Sequence, residues 1–304
     1  MSASAQEDAA QVQRGVAITA TAFVIWGLFP LYWHLLRAVP SPQIIAHRII
    51  WSTVLVVGWL VWTSRLGWWR QIAQRRGALK LLAASSASIG INWGVYIWAV
   101  NAGHVVESSL GYFINPLVSV LLGVIVLKER LRATQWLAVA FAAAGVLWLT
   151  FQAGAPPWIA LALALSFGSY GLLRKIVAVD AVAGLGVESL YLFLPALGFA
   201  LWSEGGHGGG FLGGWGWRDD ALLVFGGVVT AVPLIAFAYG VRRIPLSLVG
   251  ILQYVTPTLQ LLLGVWFFHE PFGGVRAVGF AAIWIGLLLF VGEGLWRARP
   301  RARA

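Results

Sequence analysis

The feature that most constrains this chain is an internal repeat. When the numbering is shifted by 141, the segment 107–131 falls without a gap on the segment 248–272. The same shift places Gly27 on Gly168 and Gly145 on Gly286, so the similarity extends well beyond one helix. A single gap-free offset indicates two copies of one structural unit. The matched pairs are Phe113 and Tyr254, Asn115 and Thr256, Pro116 and Pro257, Leu122 and Leu263, Gly123 and Gly264, and Glu129 and Glu270.

Composition places both copies in a membrane. Of the 304 residues, 60% are hydrophobic and 11% are charged, whereas soluble proteins carry about 25% charged residues. Apolar runs of about 20 residues, each long enough to cross a bilayer as a helix, recur along the whole chain. The net charge of +10 would suit nucleic acid, but in so apolar a chain basic residues typically flank spans. We therefore expect a lipid bilayer as partner and no nucleic acid.

The pattern predicts an all-α integral membrane protein with ten transmembrane helices, arranged as two five-helix repeats. The repeats cover 15–151 and 156–296, between a disordered tail at 1–14 and a basic tail at 297–304. The joint 203–218 contains eight glycines and is typical of a flexible linker without a fold of its own. The predicted spans are 15–36, 42–63, 79–101, 105–127, 133–151, 156–178, 182–202, 219–241, 246–268 and 274–295.

The distribution of Lys and Arg predicts the topology. Seventeen of these residues lie on the side of the N-terminus and three on the other side, with Arg48 inside a span. By the positive-inside rule both termini are then cytoplasmic. Because five is an odd number, the second repeat enters the membrane from the opposite side, which makes the repeats inverted. Inverted repeats are a recurrent design of secondary transporters, although a duplicated membrane scaffold or regulator remains the alternative.

Several long motifs resemble one family, the EamA-type drug/metabolite transporters, and specifically their RarD branch. The resemblance runs across both repeats. It is carried by F-V-I-W-G-L-F-P-L-Y-W at 23–33, A-H-R-I-I-W-S at 46–52, I-N-W-G-V-Y-I-W-A-V-N-A-G-H-V-V-E-S-S-L-G-Y-F-I-N-P-L at 91–117 and P-L-S-L-V-G-I-L-Q-Y-V-T-P-T-L-Q at 245–260.

The resemblance implies a ten-helix bundle in the bacterial inner membrane that moves small metabolites or drug-like molecules. An amino acid or a chloramphenicol-like compound is the expected solute, and export by alternating access is the expected direction. The chain has no cysteine, no G-x-x-x-x-G-K-[ST] phosphate loop and no H-E-x-x-H zinc pair, so we expect no enzyme activity, no ATP use, no metal and no cofactor. A monomer would suffice to form a pathway, and a homodimer is left open.

The repeated prolines mark a candidate pathway. Pro116 and Pro257 lack an amide proton, so the carbonyls of Tyr112 and Gln253 lose their helical donors and must be satisfied locally in lipid. Such kinks can line a water-filled path, and their polar neighbours would offer hydrogen bonds to a solute. The alternative is a kink that only helps two helices pack. The residues concerned are Tyr112, Asn115, Pro116, Gln253, Tyr254, Thr256 and Pro257.

Ionisable groups inside spans need a reason, because each costs about 2.5 to 3.5 kcal/mol to insert. Arg48 is predicted to anchor a solute carboxylate or to belong to an outer gate. Its alternative is a structural ion pair with Glu107. Glu188, which occupies the place of His47 after the shift, is a candidate proton carrier, as is His47 itself.

Three further residues are pathway candidates. Asn92 and Tyr96 lie four residues apart and therefore share one helix face, where they would line the path or join helices by hydrogen bonds. Trp26 would contribute an aromatic wall, or else pack in the core.

Overall fold

The structure is a computed structural model that describes residues 3–102, 104–153, 157–269 and 273–298. This part of the chain is helical and contains no strand. The helices are α1 (Ala3–Gly27), α2 (Phe29–Leu35), α3 (Ser41–Ser64), α4 (Gly67–Ala73), α5 (Ala78–Asn101), α6 (Val105–Ile125), α7 (Ala133–Ala153), α8 (Trp158–Ile176), α9 (Ala181–Glu204), α10 (Trp217–Val241), α11 (Leu246–Gln253), α12 (Val255–Trp266) and α13 (Gly274–Ala298).

Nine segments of the described chain are long and apolar enough to cross a membrane. The integral-membrane, all-α prediction is therefore confirmed. Helix α5 has 24 residues, which is sufficient length, but it is not one of the nine candidate spans. Its apolar character is diluted by polar residues such as Ser85, Ser86 and Asn92. The count of ten spans consequently stays a prediction.

Two of the predicted spans are broken. The first divides at Leu28 into α1 and α2, with Pro30 in the first turn of α2. The ninth divides at Tyr254 into α11 and α12, three residues before Pro257, which cannot donate to the carbonyl of Gln253. Helix α6, in contrast, continues through Pro116 without interruption. Equivalent prolines therefore have different consequences in the two repeats.

Side chains from α12 satisfy the backbone where the first span breaks. Pro30 cannot donate to the Trp26 carbonyl, and the Gln260 side-chain amide lies 3.4 Å from that oxygen instead. One turn earlier, the Thr256 hydroxyl donates to the Phe23 carbonyl at 2.8 Å. A carbonyl without a donor in hydrocarbon costs several kcal/mol. The two broken spans thus stabilise each other.

Helix packing follows the internal repeat. The shift by 141 relates α3 to α9 and α5 to α10, and accordingly α3 packs on α10 as α5 packs on α9. It also relates α1 to α8 and α6 to the α11–α12 span, and these pack as α1 with α12 and α6 with α8. Exchanging the repeats leaves this set of neighbours unchanged, which is what a two-fold relation requires. The inverted orientation itself remains a prediction.

Close glycine contacts repeat with the same offset. A Cβ at Gly27 would lie 2.8 Å from Leu259, and one at Gly168 would lie 2.7 Å from Val118. The contacted residues are themselves 141 apart. Likewise Gly145 faces the Gly279 carbonyl and Gly286 faces the Ala138 carbonyl, each at 2.5 Å from the hypothetical Cβ. Small residues allow these helix backbones to approach each other closely.

Contacts between joints define two ends of the bundle. One end, called the basic end, contains the joints 65–77, 126–132, 177–180 and 242–245, where Arg242 donates to the Val179 carbonyl. The opposite end, called the glycine-loop end, contains the joints 36–40 and 205–216. There Leu36 and Val39 pack with Phe211, Trp215 and Leu223 in one apolar cluster.

The glycine-rich joint is folded, so the prediction of a linker without structure was wrong. The Glu204 carboxylate accepts hydrogen bonds from the backbone N–H groups of Gly210 and Phe211, both at 3.0 Å. Asp220 accepts from the N–H of Leu212 at 3.1 Å. The two acids flank the loop in sequence and hold it over the start of α3. Glycine supplies the tight turns, since Gly206, Gly208 and Gly216 all have positive φ.

The predicted topology can be tested by labelling single cysteines in a chain that has none of its own. We expect a membrane-impermeant thiol reagent to label Gly213→Cys in intact cells and to spare Gln74→Cys until the cells are opened. Gly213 suits the substitution because no atom lies within 4 Å of a Cβ there, and Gln74 is exposed. The reverse labelling pattern would overturn the assignment of both termini to the cytoplasm.

Candidate functional site

A cavity of about 580 Å³ lies between the two repeats. This volume is in the usual range for small-molecule sites. The cavity is bordered by residues of α1, α2, α3, α5, α6, α8 and α10 and by the α11–α12 span. Nine of the eleven predicted pathway residues line it, namely Trp26, Arg48, Asn92, Tyr96, Tyr112, Asn115, Gln253, Thr256 and Pro257.

The cavity reaches the glycine-loop end of the bundle. Its wall includes Trp33 near the end of α2, Ser41 at the start of α3 and Ile97 near the end of α5. Phe268 follows α12 and also lines the wall, with its ring 5.3 Å from that of His34. These positions lie next to joints of one end, so a solute would enter there.

Stacked aromatic rings close the cavity towards the basic end. Phe23 and Phe167 line its floor, and both rings contact that of Phe237, at 6.0 and 5.4 Å between centroids. Tyr170 stacks on Phe237 from below at 5.8 Å. Both Tyr170 and Phe237 are fully buried. These four rings, called the aromatic floor, separate the cavity from the basic end.

Below the aromatic floor, charged side chains tie the helices together. The Glu129 carboxylate accepts from the backbone N–H groups of Leu246 and Ser247, at 2.6 and 2.9 Å, and thus caps the first turn of α11. Lys175 donates to the carbonyls of Val241 and Ile244, at 3.0 and 2.5 Å, at the C-terminus of α10. Sequence reasoning missed these caps, because each joins residues 66 or more positions apart.

Arg48 projects into the cavity from α3. Its Nε donates to the Thr230 hydroxyl at 3.0 Å. Its Cζ lies 4.5 Å from the centroid of the Trp93 ring and 5.3 Å from that of Trp33. Two cation–π contacts and one hydrogen bond therefore hold the guanidinium in place.

The polar wall is only partly satisfied by the protein. The Asn92 amide donates to the Leu163 carbonyl at 2.9 Å and to Ser166 at 3.1 Å, so this residue joins α5 to α8 as well as lining the cavity. Gln253 Oε1 accepts from the hydroxyl of Ser119 at 3.3 Å. Asn115 Oδ1 is buried and has no hydrogen-bond donor among the described residues. Asn115 is thus a lining residue whose amide oxygen is left without a donor from the described part of the protein.

Two predicted pathway residues do not line the cavity. Tyr254 is buried, and its hydroxyl lies 3.4 Å from the Phe113 carbonyl. The Pro116 carbonyl lies 2.5 Å from a hypothetical Cβ at Gly250, so α6 packs closely on α11 at this proline. Of the two prolines, Pro257 is the one exposed to the cavity.

Glu188 has charged and polar partners that the sequence did not reveal. Its Oε1 lies 3.6 Å from Nη1 of Arg174 and accepts a hydrogen bond from Ser85. Arg174 is 0% exposed and lies four residues before the end of the predicted span 156–178. Its Nη2 donates to the Ala181 carbonyl at 3.1 Å. The available sequence signal for a buried cation was the adjacent pair Arg174 and Lys175. Both residues lie within α8, which continues to Ile176.

His47 lies beneath the glycine-rich joint rather than in the cavity. Its ring is 4.6 Å from that of Phe211, and neither ring nitrogen has a partner among the described residues. Glu188 and His47 thus occupy separate places outside the cavity lining. The side chain of Glu107 lies outside the described residues, so its pairing with Arg48 stays a prediction.

Comparison with known proteins agrees with this architecture. The model of the EamA-like transporter family matches residues 13–151 and 156–292, the same two halves that the repeat defines. The uncharacterized transporter YojE of Bacillus subtilis is 48% identical over 285 residues, covering 92% of this chain and 94% of that protein. Protein RarD of Escherichia coli is 41% identical over 296 residues, covering 97% and 100%.

Two further similarities concern a named relative and the fold. The chloramphenicol-sensitive protein RarD of Pseudomonas aeruginosa is 36% identical over 302 residues, covering 95% of this chain and 97% of that protein. A solved crystal structure superposes with a TM-score of 0.69 at 20% identity, covering 90% of this chain and 96% of that one, which supports the fold alone. The chain belongs to the EamA-like transporter family, and within it to the RarD branch.

The buried Arg174–Glu188 pair predicts a specific pattern of stabilities. Glu188→Leu should destabilise the protein by about 3 to 5 kcal/mol, because it leaves the Arg174 charge buried without a partner. The double variant Arg174→Met/Glu188→Leu should recover most of this loss, since no charge then remains unpaired. Thermal unfolding in detergent measures both, with Arg70→Met on the exposed face of α4 as control. Additive losses in the double variant would contradict the pairing.

Proposed function

We propose that this chain is an inner-membrane permease that moves a small solute through the central cavity by alternating access and without ATP. The observation that carries the proposal is a cavity open towards the glycine-loop end and closed towards the basic end by the aromatic floor. If both termini are cytoplasmic, as the distribution of basic residues predicts, this is an outward-open state. In export, the solute would be released from this outward-open state.

An asymmetry between related helices supports the alternating mechanism. The two broken spans, α1–α2 and α11–α12, pack on each other through Gly27 and Leu259. Their counterparts, α8 and α6, pack on each other through Gly168 and Val118 and are continuous. In a transporter with inverted repeats, each half adopts in turn the conformation of the other. The opposite state would therefore break α6 near Pro116 and close the span that contains Pro257.

The chemistry of the wall favours an aromatic or apolar solute with one polar head. Nine aromatic residues and ten aliphatic or glycine residues make up the apolar part of the wall, while one cation, four amides and four Ser or Thr residues line the rest. An amino acid or a chloramphenicol-like compound fits this description. Coupling to protons through Glu188 or His47 remains a separate prediction, and their positions outside the cavity lining favour exchange or facilitated transport.

Flux measurements in reconstituted vesicles test the proposal, with amino acids and chloramphenicol as labelled solutes. We expect protein-dependent, saturable flux of at least one solute in the absence of ATP. Ile97→Trp should reduce that flux at least about tenfold, because a larger side chain at the cavity wall excludes solute. Ile91→Trp is the matched control, since Ile91 is on the same helix, is 58% exposed and does not line the cavity.

Two outcomes would contradict the proposal. Folded protein without flux of any solute would favour a membrane scaffold or regulator instead. Equal flux in Ile97→Trp and Ile91→Trp would show that solute does not pass through this cavity.

The prolines provide a test of the mechanism. Pro116→Ala and Pro257→Ala each restore a backbone donor, so stability should stay equal or improve by up to about 3 kcal/mol. Flux should nevertheless fall in both variants, since each half must bend in one of the two states. Thermal unfolding and vesicle flux are measured on the same preparations. Undiminished flux in both variants would reduce the prolines to packing kinks.

A further inference from the structure

We infer that the preferred solute of the central cavity is a small aromatic carboxylate that carries no ammonium group, with its carboxylate bound to Arg48. This inference rests on the proposed function, because it concerns the solute of the same cavity. It goes further by choosing among anionic, zwitterionic, cationic and neutral molecules of the same shape. Three independent observations lead to this choice.

The first observation is that Arg48 is held for binding. Its Nε is occupied by Thr230, a fully buried residue of α10, and its guanidinium plane is fixed near the rings of Trp93 and Trp33. The two Nη groups have no hydrogen-bond acceptor among the described residues. A guanidinium with two free amino groups forms the fork that binds a carboxylate through two parallel hydrogen bonds.

The second observation is the charge of the wall. Arg48 is the one cation in the described lining, and that lining contains neither Asp nor Glu. A charge at this depth is unfavourable unless an opposite charge compensates it. An anionic solute would supply that charge. An ammonium group would find no carboxylate in the described lining and would be repelled by the guanidinium.

The third observation is the aromatic character of the wall around Arg48. The rings of Tyr96 and Tyr112 contact each other at 6.1 Å, and both residues line the same cavity as Arg48. Trp26 and Phe167, whose rings are 5.7 Å apart, line the deeper part. Aromatic faces and edges of this kind bind another ring in tilted or stacked contact. A ring attached to a carboxylate by a short chain would reach both surfaces.

Arg48 and Arg174 differ in how their charges are balanced. Arg174 has a carboxylate partner within the protein, Glu188 at 3.6 Å, and is completely buried. Arg48 has no such partner among the described residues, and its side chain borders empty space. The protein thus neutralises the fully buried Arg174 itself and leaves the half-buried Arg48 for a bound molecule.

Binding to a matched set of ligands tests the inference. Purified protein is titrated calorimetrically with 3-phenylpropanoate, its neutral amide, phenylalanine and phenethylamine, which share one ring and a similar chain. We expect the carboxylate to bind at least about tenfold more tightly than each of the others, in keeping with a charge-assisted pair. Arg48→Gln should abolish this preference, and Arg48→Lys should keep part of it. Arg218→Gln, an exposed residue near the glycine-rich joint, should leave it unchanged.

The ligand set on the unaltered protein decides the question even if Arg48→Gln does not fold. Equal or tighter binding of phenylalanine, the amide, phenethylamine or chloramphenicol would overturn the inference. Glu107→Gln tests whether Glu107 is an internal partner of Arg48. If wild type prefers neutral ligands and Glu107→Gln prefers the carboxylate, Glu107 neutralises Arg48 and the inference is wrong.

Vesicle flux separates this inference from the proposed function. Preferential binding of the carboxylate without flux would exclude transport and retain the anion site. Flux of neutral or zwitterionic solutes that is independent of Arg48 would retain transport and exclude the anion site.

Discussion

Every backbone carbonyl within the bilayer needs a donor from the protein itself, and this requirement shapes the centre of the molecule. Two spans are interrupted where proline removes a donor, at Trp26 and at Gln253. The interruptions are tolerated because they lie against each other and against a polar cavity. Thr256 and Gln260 on α12 donate to the carbonyls of Phe23 and Trp26. The same α12 side chains thus repair one broken helix and form part of the wall.

Charged side chains in the interior, like the backbone carbonyls, need partners from the protein itself. The pair of Arg174 and Glu188 is internally balanced below the aromatic floor, where it joins α8 to α9. Glu129 and Lys175 neutralise helix ends at the basic end. Arg48 differs from these groups because it faces the cavity. Arg48 is thus a half-buried charge that the described residues hold in place but do not neutralise.

The two repeats share the same packing contacts, but their equivalent helices differ in conformation. Close glycine contacts recur with the same offset in both halves, and Lys128 and His269, also 141 apart, share a φ of 55°. Bending does not recur, because Pro257 accompanies a helix break and Pro116 does not. One sequence unit therefore adopts two conformations within a single state of the protein.

The sequence by itself determined a great deal about this protein. Apolar runs indicated the helical membrane class, and the single offset of 141 predicted two halves; the family model matches residues 13–151 and 156–292. Proline and polar residues within apolar runs indicated part of the cavity wall, because a polar group in lipid needs a local reason. Nine predicted residues line one cavity for that reason.

Only the tertiary structure decided which distant groups meet. The partner of Glu188 is Arg174, 14 residues earlier in the chain. The sequence did not reveal this pair, because Arg174 lies near the end of the predicted span 156–178, where basic residues usually face the membrane surface. The glycine-rich joint looked unstructured because its order comes from Glu204 and Asp220 at its borders. The different fates of Pro116 and Pro257 were also hidden from sequence. Equivalent residues carry the same local preferences, and the contacts made by each half in this state decide which helix breaks.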